Sequence, residues 1–486
     1  MPWNRETCSP NTRVHVLNFV SEWLTGDASH EKPVLWLHGL AGSGKSTIAA
    51  TVAQNMRNLH RLGAYFCFDR GIPERKAADL ITTLVYKLAK SNNNINAKIC
   101  SVVEQNPDIE SMSLEYQFST LLSATSLNVV DWYGGPLVIV IDALDECGSE
   151  EDRRLLMKAL PRGLSELPPF IRVIIVSRPE ADIQRVLQTH PSVFPYAMDI
   201  DSGDNRSDIV IYLRHRFSEI APSSGDGSTW PGPENIESLA RQAAGLFIWA
   251  TTACKYIATY EPETRLRELL GHATANTTST PFDRLDTLYE IALKSSCNWA
   301  DNSLARDCCN LFGLILCARV PLSCPAIDTL LDIRTARILS SSGLGCVLRW
   351  SETEPVRTLH PTFREYLSSP IRCGGQRWFI DLQEHNRRVA IRCLDLLGAK
   401  LKVNIGELSL NQRDWEPLLP EALTYACRHW INHITMIVTP EPNIMERIQV
   451  FAETHLLHWI EAMAFLKENA VTIRLLGILL KWLKVC

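Results

Sequence analysis

The sequence predicts an α/β domain built on a parallel sheet, followed by mostly α-helical domains. Three observations predict it. Short, nearly continuous apolar runs alternate with helical patterns through the first 200 residues. A glycine-rich loop joins the first of these runs to the first strongly amphipathic helix. From about Asp204 onward the periodicity is largely helical. Strands that are apolar on both faces belong in a sheet covered on both sides, and alternation with helices makes that sheet parallel.

The apolar runs, in order, are Val34–His38, Gly63–Phe68, Leu137–Ile141, Arg172–Val176 and Val193–Ile200. Between the first two, Ser46–Leu59 places Ile48, Ala49, Val52, Ala53, Met56 and Leu59 on one helical face. Beyond Asp204 the clearest helices are Glu237–Tyr256 and Phe282–Lys294, and Leu344–Leu359 holds two β-favouring strings suited to a short hairpin. Two polar stretches, Ala221–Pro233 and Thr274–Pro281, break the periodicity and read as surface loops. The sequence contains no internal repeat and no low-complexity tract.

Composition narrows the function classes. The 486 residues suggest about three domains at roughly 150 residues each. A hydrophobic fraction of 46% with 21% charged residues is that of a folded chain. With 49 basic and 54 acidic residues the formal net charge is −5, so no nucleic acid is expected as a partner. The 15 cysteines show no C-x-x-C spacing, and buried thiols in a reducing, cytoplasmic setting fit them better than a disulfide framework or a zinc site. No signal peptide is visible at the start. The densest apolar runs, Leu311–Leu316 and Leu475–Val485, are too short to span a membrane, and the second suits a core-facing amphipathic helix.

The strongest chemical signal is Gly39, Leu40, Ala41, Gly42, Ser43, Gly44, Lys45 and Ser46, which fits G-x-x-x-x-G-K-[ST] at every fixed position. A polyphosphate needs several backbone N–H groups converging on one concavity, and glycines let the chain take that shape. The following helix presents its positive end to the anion. In such a P-loop NTPase Lys45 reaches the β- and γ-phosphates, Ser46 holds Mg²⁺ and Thr47 adds a phosphate contact.

The apolar run before Asp142 ends in three acids, Asp142, Asp145 and Glu146. Carboxylates at the carboxyl end of a parallel strand face the ligand crevice. Asp142 is the candidate for coordinating Mg²⁺, directly or through a bound water, and Asp145 and Glu146 are the candidates for polarising an attacking water; spacing does not choose between them. The next apolar run is followed by Ser177-Arg178-Pro179. Arg178 is placed to contact the γ-phosphate; a surface pairing with Glu180 or Asp182 is the bland alternative.

The string VLWLHGLAGSGKSTIA, the small residue in Asp142-Ala143-Leu144-Asp145-Glu146, and Ser177-Arg178-Pro179 together resemble the NACHT domain of the STAND branch of P-loop NTPases, in the style of fungal proteins with nephrocystin-like NACHT modules. Weaker support comes from Asn11-Thr12-Arg13-Val14, GAYFCF from Gly63, AGLFIWA from Ala244, and LHPTFREYL from Leu359. The resemblance spans about residues 8–460 and implies four domains: a nucleotide-binding domain over 1–202, a helical domain over 203–281, a winged-helix-like domain over 282–370 and a helical domain over 371–486. It also implies an ATP- or ADP-binding switch, with GTP as the alternative base. In such a switch slow Mg²⁺-dependent hydrolysis controls self-association or contact with other signalling proteins, in defence, cell death or non-self recognition.

By the same resemblance His360 falls where a histidine meets the β-phosphate of ADP, and Thr12 and Arg13 touch base or sugar. Two departures stand out. The Gly-x-Pro motif near the adenine in relatives reads Gly245-Leu246-Phe247 here, and no repeat array follows residue 460 and no effector domain precedes Cys8. A bare switch or a fragment is the expectation. The same motifs also allow a P-loop ATPase or kinase with true turnover, or a catalytically silent nucleotide-binding scaffold.

Overall fold

The computed structural model describes residues 6–26, 32–69, 77–125, 127, 135–220, 230–271, 280–341, 343–351, 353–406, 419–438 and 442–485. The chain divides into two compact units, residues 1–254 with 262–285 and residues 255–261 with 286–486.

In the first unit the order is α1 (Val14–Thr25), β1 (Val34–His38), α2 (Lys45–Asn58), β2 (Leu62–Cys67), α3 (Ala77–Ser91), α4 (Asn93–Gln105), α5 (Leu114–Leu121), β3 (Leu137–Asp142), α6 (Glu150–Ser165), β4 (Ile171–Ser177), α7 (Ala181–Leu187) and β5 (Val193–Ala197). It continues with α8 (Gly203–Ile220), α9 (Pro233–Ala243), α10 (Phe247–Thr259, shared with the second unit) and α11 (Pro262–Gly271). The five strands form one parallel sheet in the order β2-β3-β4-β1-β5. Every residue of β3 is buried, as are the first four of β1, which is why these segments read as unbroken apolar runs. Pro195 lies in β5, an edge strand, where its missing N–H breaks no inner ladder.

The parallel sheet predicted from sequence is present; the first strand has the expected ends and the others differ by at most three residues. Two expectations need correction. Leu59 does not join the buried face of α2: the helix stops at Asn58 and Leu59 is exposed. The single helix expected over Glu237–Tyr256 is two. Ala244 and Gly245 both take positive φ (43° and 79°), which ends α9 before α10 restarts at Phe247.

The break is held firmly. A Cβ on Gly245 would lie 2.2 Å from the Ile200 carbonyl oxygen, and Asn205 Nδ2 donates to both Ile200 O (2.6 Å) and Gly245 O (3.0 Å). Gly245→Ala therefore combines a strained φ with a backbone clash and should cost about 2 kcal/mol or more, read as a lower midpoint in urea unfolding.

The second unit is helical, with α12 (Pro281–Ser296, begun in the first unit), α13 (Asn302–Cys317), α14 (Cys324–Leu331) and α15 (Thr335–Ser341). A two-residue antiparallel pair follows, β6 (Leu348–Arg349) with β7 (Arg357–Thr358), at the place where sequence suggests a hairpin. The remaining helices are α16 (Pro361–Ser368), α17 (Pro370–Cys373), α18 (Leu382–Lys400), α19 (Glu421–Ile434), α20 (Pro442–Thr454), α21 (Leu456–Phe465) and α22 (Asn469–Val485). A buried polar group sits inside this unit: His433 is bonded to Tyr425 Oη (2.7 Å) and Asn386 Oδ1 (2.9 Å), and burial holds its pKa well below the usual histidine range. Helix α22 faces the core through Leu475 and Leu479 while Ile473 and Leu480 are exposed.

All 14 described cysteines are free thiols. Among the described residues no helix is long and apolar enough to cross a membrane. The polar stretches around 221–233 and 274–281 lie mostly outside the described residues.

Candidate functional site

Strand β1 delivers the chain at its carboxyl end into the loop that starts at Gly39, and α2 begins at Lys45 with Gly44 as its N-cap. Gly42 (φ 78°) and Gly44 (φ 88°) hold left-handed backbone that other residues rarely adopt. No side chain caps α2, so the N–H groups of its first turn remain presented at the loop. Ala41 is buried, Leu40 is 40% exposed, and Ser43 is fully buried.

Lys45 is 8% exposed, and its Nζ donates to two loop carbonyls, Gly39 O (2.8 Å) and Leu40 O (2.7 Å). Among the described residues no carboxylate forms an ion pair with it. Burial pushes its pKa down to about 8; the Arg178 charge also lowers it, and Asp145, Asp142 and Glu146 push it back up. A buried ammonium whose hydrogen bonds go to carbonyls, with its acids at a distance, has room for an anion.

Ser46 Oγ donates to Asp142 Oδ1 at 2.9 Å. Asp142 is fully buried at the carboxyl end of β3, and its Oδ2 accepts from Tyr65 Oη (3.2 Å) and Cys67 Sγ (3.6 Å) of β2. Adjacent parallel strands β2 and β3 thus aim this carboxylate at the start of α2. Thr47, one residue on, receives the Thr51 hydroxyl at its carbonyl.

The turn after β3 carries the other two acids. Asp145 is buried, and both of its oxygens are engaged by Arg178, Oδ1 by the backbone N–H (3.0 Å) and Oδ2 by Nε (3.3 Å). Asp182, the alternative partner weighed for Arg178, pairs with Arg153 instead at 2.6 Å. Glu146 lies next to Asp145 in the same short 3-10 turn and is half-buried. Strand β4 runs between β1 and β3, so the loop, Asp142, Asp145, Glu146 and Arg178 share one edge of the sheet. Trp36 of β1 donates to Ser177 Oγ (2.9 Å), which ties the ends of β1 and β4 together.

Of the outlying candidates, Arg13 joins the loop: its Nη2 donates to Ser43 O at 2.5 Å. Thr12 is buried beside it with its hydroxyl on Ser9 O (2.7 Å). His360 belongs to the second unit, where it caps α16: its Nδ1 accepts the Thr362 N–H and lies 2.8 Å from the Thr362 hydroxyl. Sequence reasoning missed Tyr65 and Cys67 behind Asp142, and missed Asp208, Phe247 and Ile248 behind the loop. The Ile248 N–H donates to Gly42 O (3.0 Å), and a Cβ on Gly42 would lie 2.1 Å from Ile248 Cγ2. The only hint in the sequence was the string AGLFIWA, whose contacts lie about 200 residues away along the chain.

A glycine loop on β1 of a parallel sheet, with its lysine and serine facing the acids of β3, defines a P-loop NTPase domain, and helical domains follow it. Residues 17–178 match the family described as Nephrocystin 3, N-terminal, a match that covers about a third of the chain. Nothing matches among curated protein sequences. Among solved structures, a STAND protein with a tetratricopeptide repeat sensor from Pyrococcus horikoshii aligns with a TM-score of 0.43 and 11% identity, over 100% of this chain and 60% of that one. A structure of Drosophila ORC bound to DNA aligns with a TM-score of 0.33 and 11% identity, over 74% of this chain and 87% of that one. Likenesses this distant carry no argument about activity, and the chain spans only 60% of the length of the Pyrococcus protein.

Proposed function

We propose that the chain is a nucleotide-dependent signalling switch that binds ATP or ADP, or GTP in their place, with Mg²⁺ and slow hydrolysis. The observation that carries this reading is the buried Lys45 ammonium, hydrogen-bonded to two loop carbonyls at the mouth of a glycine nest. The residues present fit a magnesium nucleotide. The loop N–H groups and Lys45 grip the phosphate tail, and Ser46 and Asp142, already 2.9 Å apart, are the oxygen ligands a hard cation takes. A bound Mg²⁺ would supply charge neutralisation between phosphate oxygens.

The remaining groups divide the work. Tyr65 and Cys67 hold one Asp142 oxygen, which keeps the other directed at Ser46. Asp145 is committed to Arg178, so it positions that cation beside the phosphate tail. Glu146 is then the acid we assign to orienting water.

The wider role rests on the motif resemblance: control of self-assembly or of other signalling proteins in defence, cell death or non-self recognition, in the cytoplasm, with no nucleic acid as partner. A winged-helix-like domain over 282–370 is likewise a proposal, supported by the order of α13, α14, α15 and the β6–β7 pair.

The test is a thermal-shift titration with ADP and with ATP plus Mg²⁺, alongside identification of any nucleotide released from the purified protein by acid. Ligand at about 100 times Kd stabilises by about 3 kcal/mol, a shift of several degrees. A melting temperature unmoved by millimolar nucleotide would overturn the reading.

A further inference from the structure

Two consecutive carbonyls of the loop are anchored from outside it. Gly42 O accepts from the Ile248 N–H, and Ser43 O accepts from the Arg13 guanidinium at 2.5 Å. A trans peptide is planar with its C=O and N–H opposed. Anchoring the Ser43 carbonyl toward Arg13 therefore turns the Gly44 N–H to the opposite side, away from Arg13 and into the nest.

The arginine is itself tightly determined. It is 5% exposed and takes φ 60°, a left-handed conformation that a non-glycine residue keeps only when its surroundings enforce it. Its guanidinium lies 4.3 Å over the Phe247 ring and 3.9 Å from Asp208 Oδ2. A Cβ on Gly44 would sit 3.5 Å from Arg13 Nη2, so the guanidinium plane rests against the loop itself. A planar fork that stacks and donates at once is a task for arginine, not lysine.

We infer that Arg13 is a positioning residue for the phosphate-binding loop: it fixes the Ser43–Gly44 peptide so that the Gly44 N–H meets the phosphate chain, and it does not read base or sugar. Asp208 on α8 and Phe247 at the start of α10 hold the arginine in place, so the helical segment after the sheet sets the grip of the loop. The inference rests on the nucleotide reading above and adds a residue and a direction to it.

The two roles separate with a ligand that has no base. Binding of ATP and of inorganic tripolyphosphate is measured by calorimetry for the parent chain and for Arg13→Lys, at one Mg²⁺ concentration. The expected result is a loss of about tenfold in affinity, the same for both ligands. In glycine-¹⁵N spectra, the Gly44 amide shift that tripolyphosphate induces in the parent should shrink in the variant, which a general loss of stability would not produce. Asp208→Asn keeps the arginine but removes one of its holders, and should give a smaller loss, again equal for the two ligands. This second variant keeps the test alive if Arg13→Lys fails to fold.

A loss confined to ATP would place Arg13 on the base or sugar and overturn the inference. Unchanged affinity for both ligands would overturn it too. A parent chain that binds neither ligand would sink the nucleotide reading itself, and this inference with it.

Discussion

Lys45→Met should abolish nucleotide binding and at the same time make the ligand-free protein more stable. The first effect follows from removing the Lys45 ammonium from the nest: a charge-assisted contact to phosphate in a buried site accounts for about 3 kcal/mol, or over 100-fold in affinity. The second follows from linkage. Burial lowers the Lys45 pKa from 10.5 to about 8, so between those values the unfolded chain binds its proton more tightly than the folded one. The contribution of this group to stability therefore rises as pH increases from about 8 to 10.5. Below about 8 the folded protein carries the full penalty of a buried ammonium, on the order of 3 kcal/mol.

Methionine fills the same volume without charge, so the variant should melt several degrees higher than the parent at pH 7, and the gap should close above pH 10.5. Calorimetric melts across pH 7–11 check the sign. Nucleotide binding provides the same relief by another route, since the phosphate charge restores the lysine proton. At pH 8 binding should take up a fraction of a proton, visible as a buffer-dependent enthalpy. Affinity within threefold of the parent in Lys45→Met would mean that phosphate is held elsewhere.

The fold and the nest were legible in the sequence for one physical reason: each rests on chemistry local to a short stretch of chain. Strands buried on both faces announce themselves as apolar runs, and the loop from Gly39 to Ser46 packs its conformational and electrostatic requirements into eight residues. The α9–α10 break was not legible, because Ala244-Gly245-Leu246 sits inside an apolar, helix-like pattern. What ends α9 is the Ile200 carbonyl and the Asn205 amide, groups about 40 residues distant in sequence. The hold on the loop was hidden for the same reason. Arg13 meets Ser43, Asp208 and Phe247 only in three dimensions, and no spacing rule links them. The two acids after β3 fall between these cases. Their place at the site could be read from the strand, but their division of labour depends on where Arg178 points.

That division gives the second large effect. Glu146→Gln should lower hydrolysis by about 100-fold or more and leave ATP affinity within about threefold, since an amide keeps the shape of the carboxylate but replaces one acceptor oxygen with an NH2 donor and carries no charge to polarise water. Asp145→Asn acts differently. Both of its oxygens serve Arg178, at 3.0 and 3.3 Å, and its charge offsets the crowding of Arg178 against Lys45. Neutralising it leaves the buried Lys45 and the half-buried Arg178 without their shared counter-ion. Asp145→Asn should therefore lower the Lys45 pKa further and weaken nucleotide binding at pH 8 more than at pH 6, where the lysine is protonated in either protein. Single-turnover hydrolysis and binding at the two pH values, measured for both variants, separate the roles. If Asp145→Asn abolished turnover with affinity intact while Glu146→Gln turned over normally, the water-orienting acid would be Asp145, and Arg178 would have to be held by something other than its carboxylate.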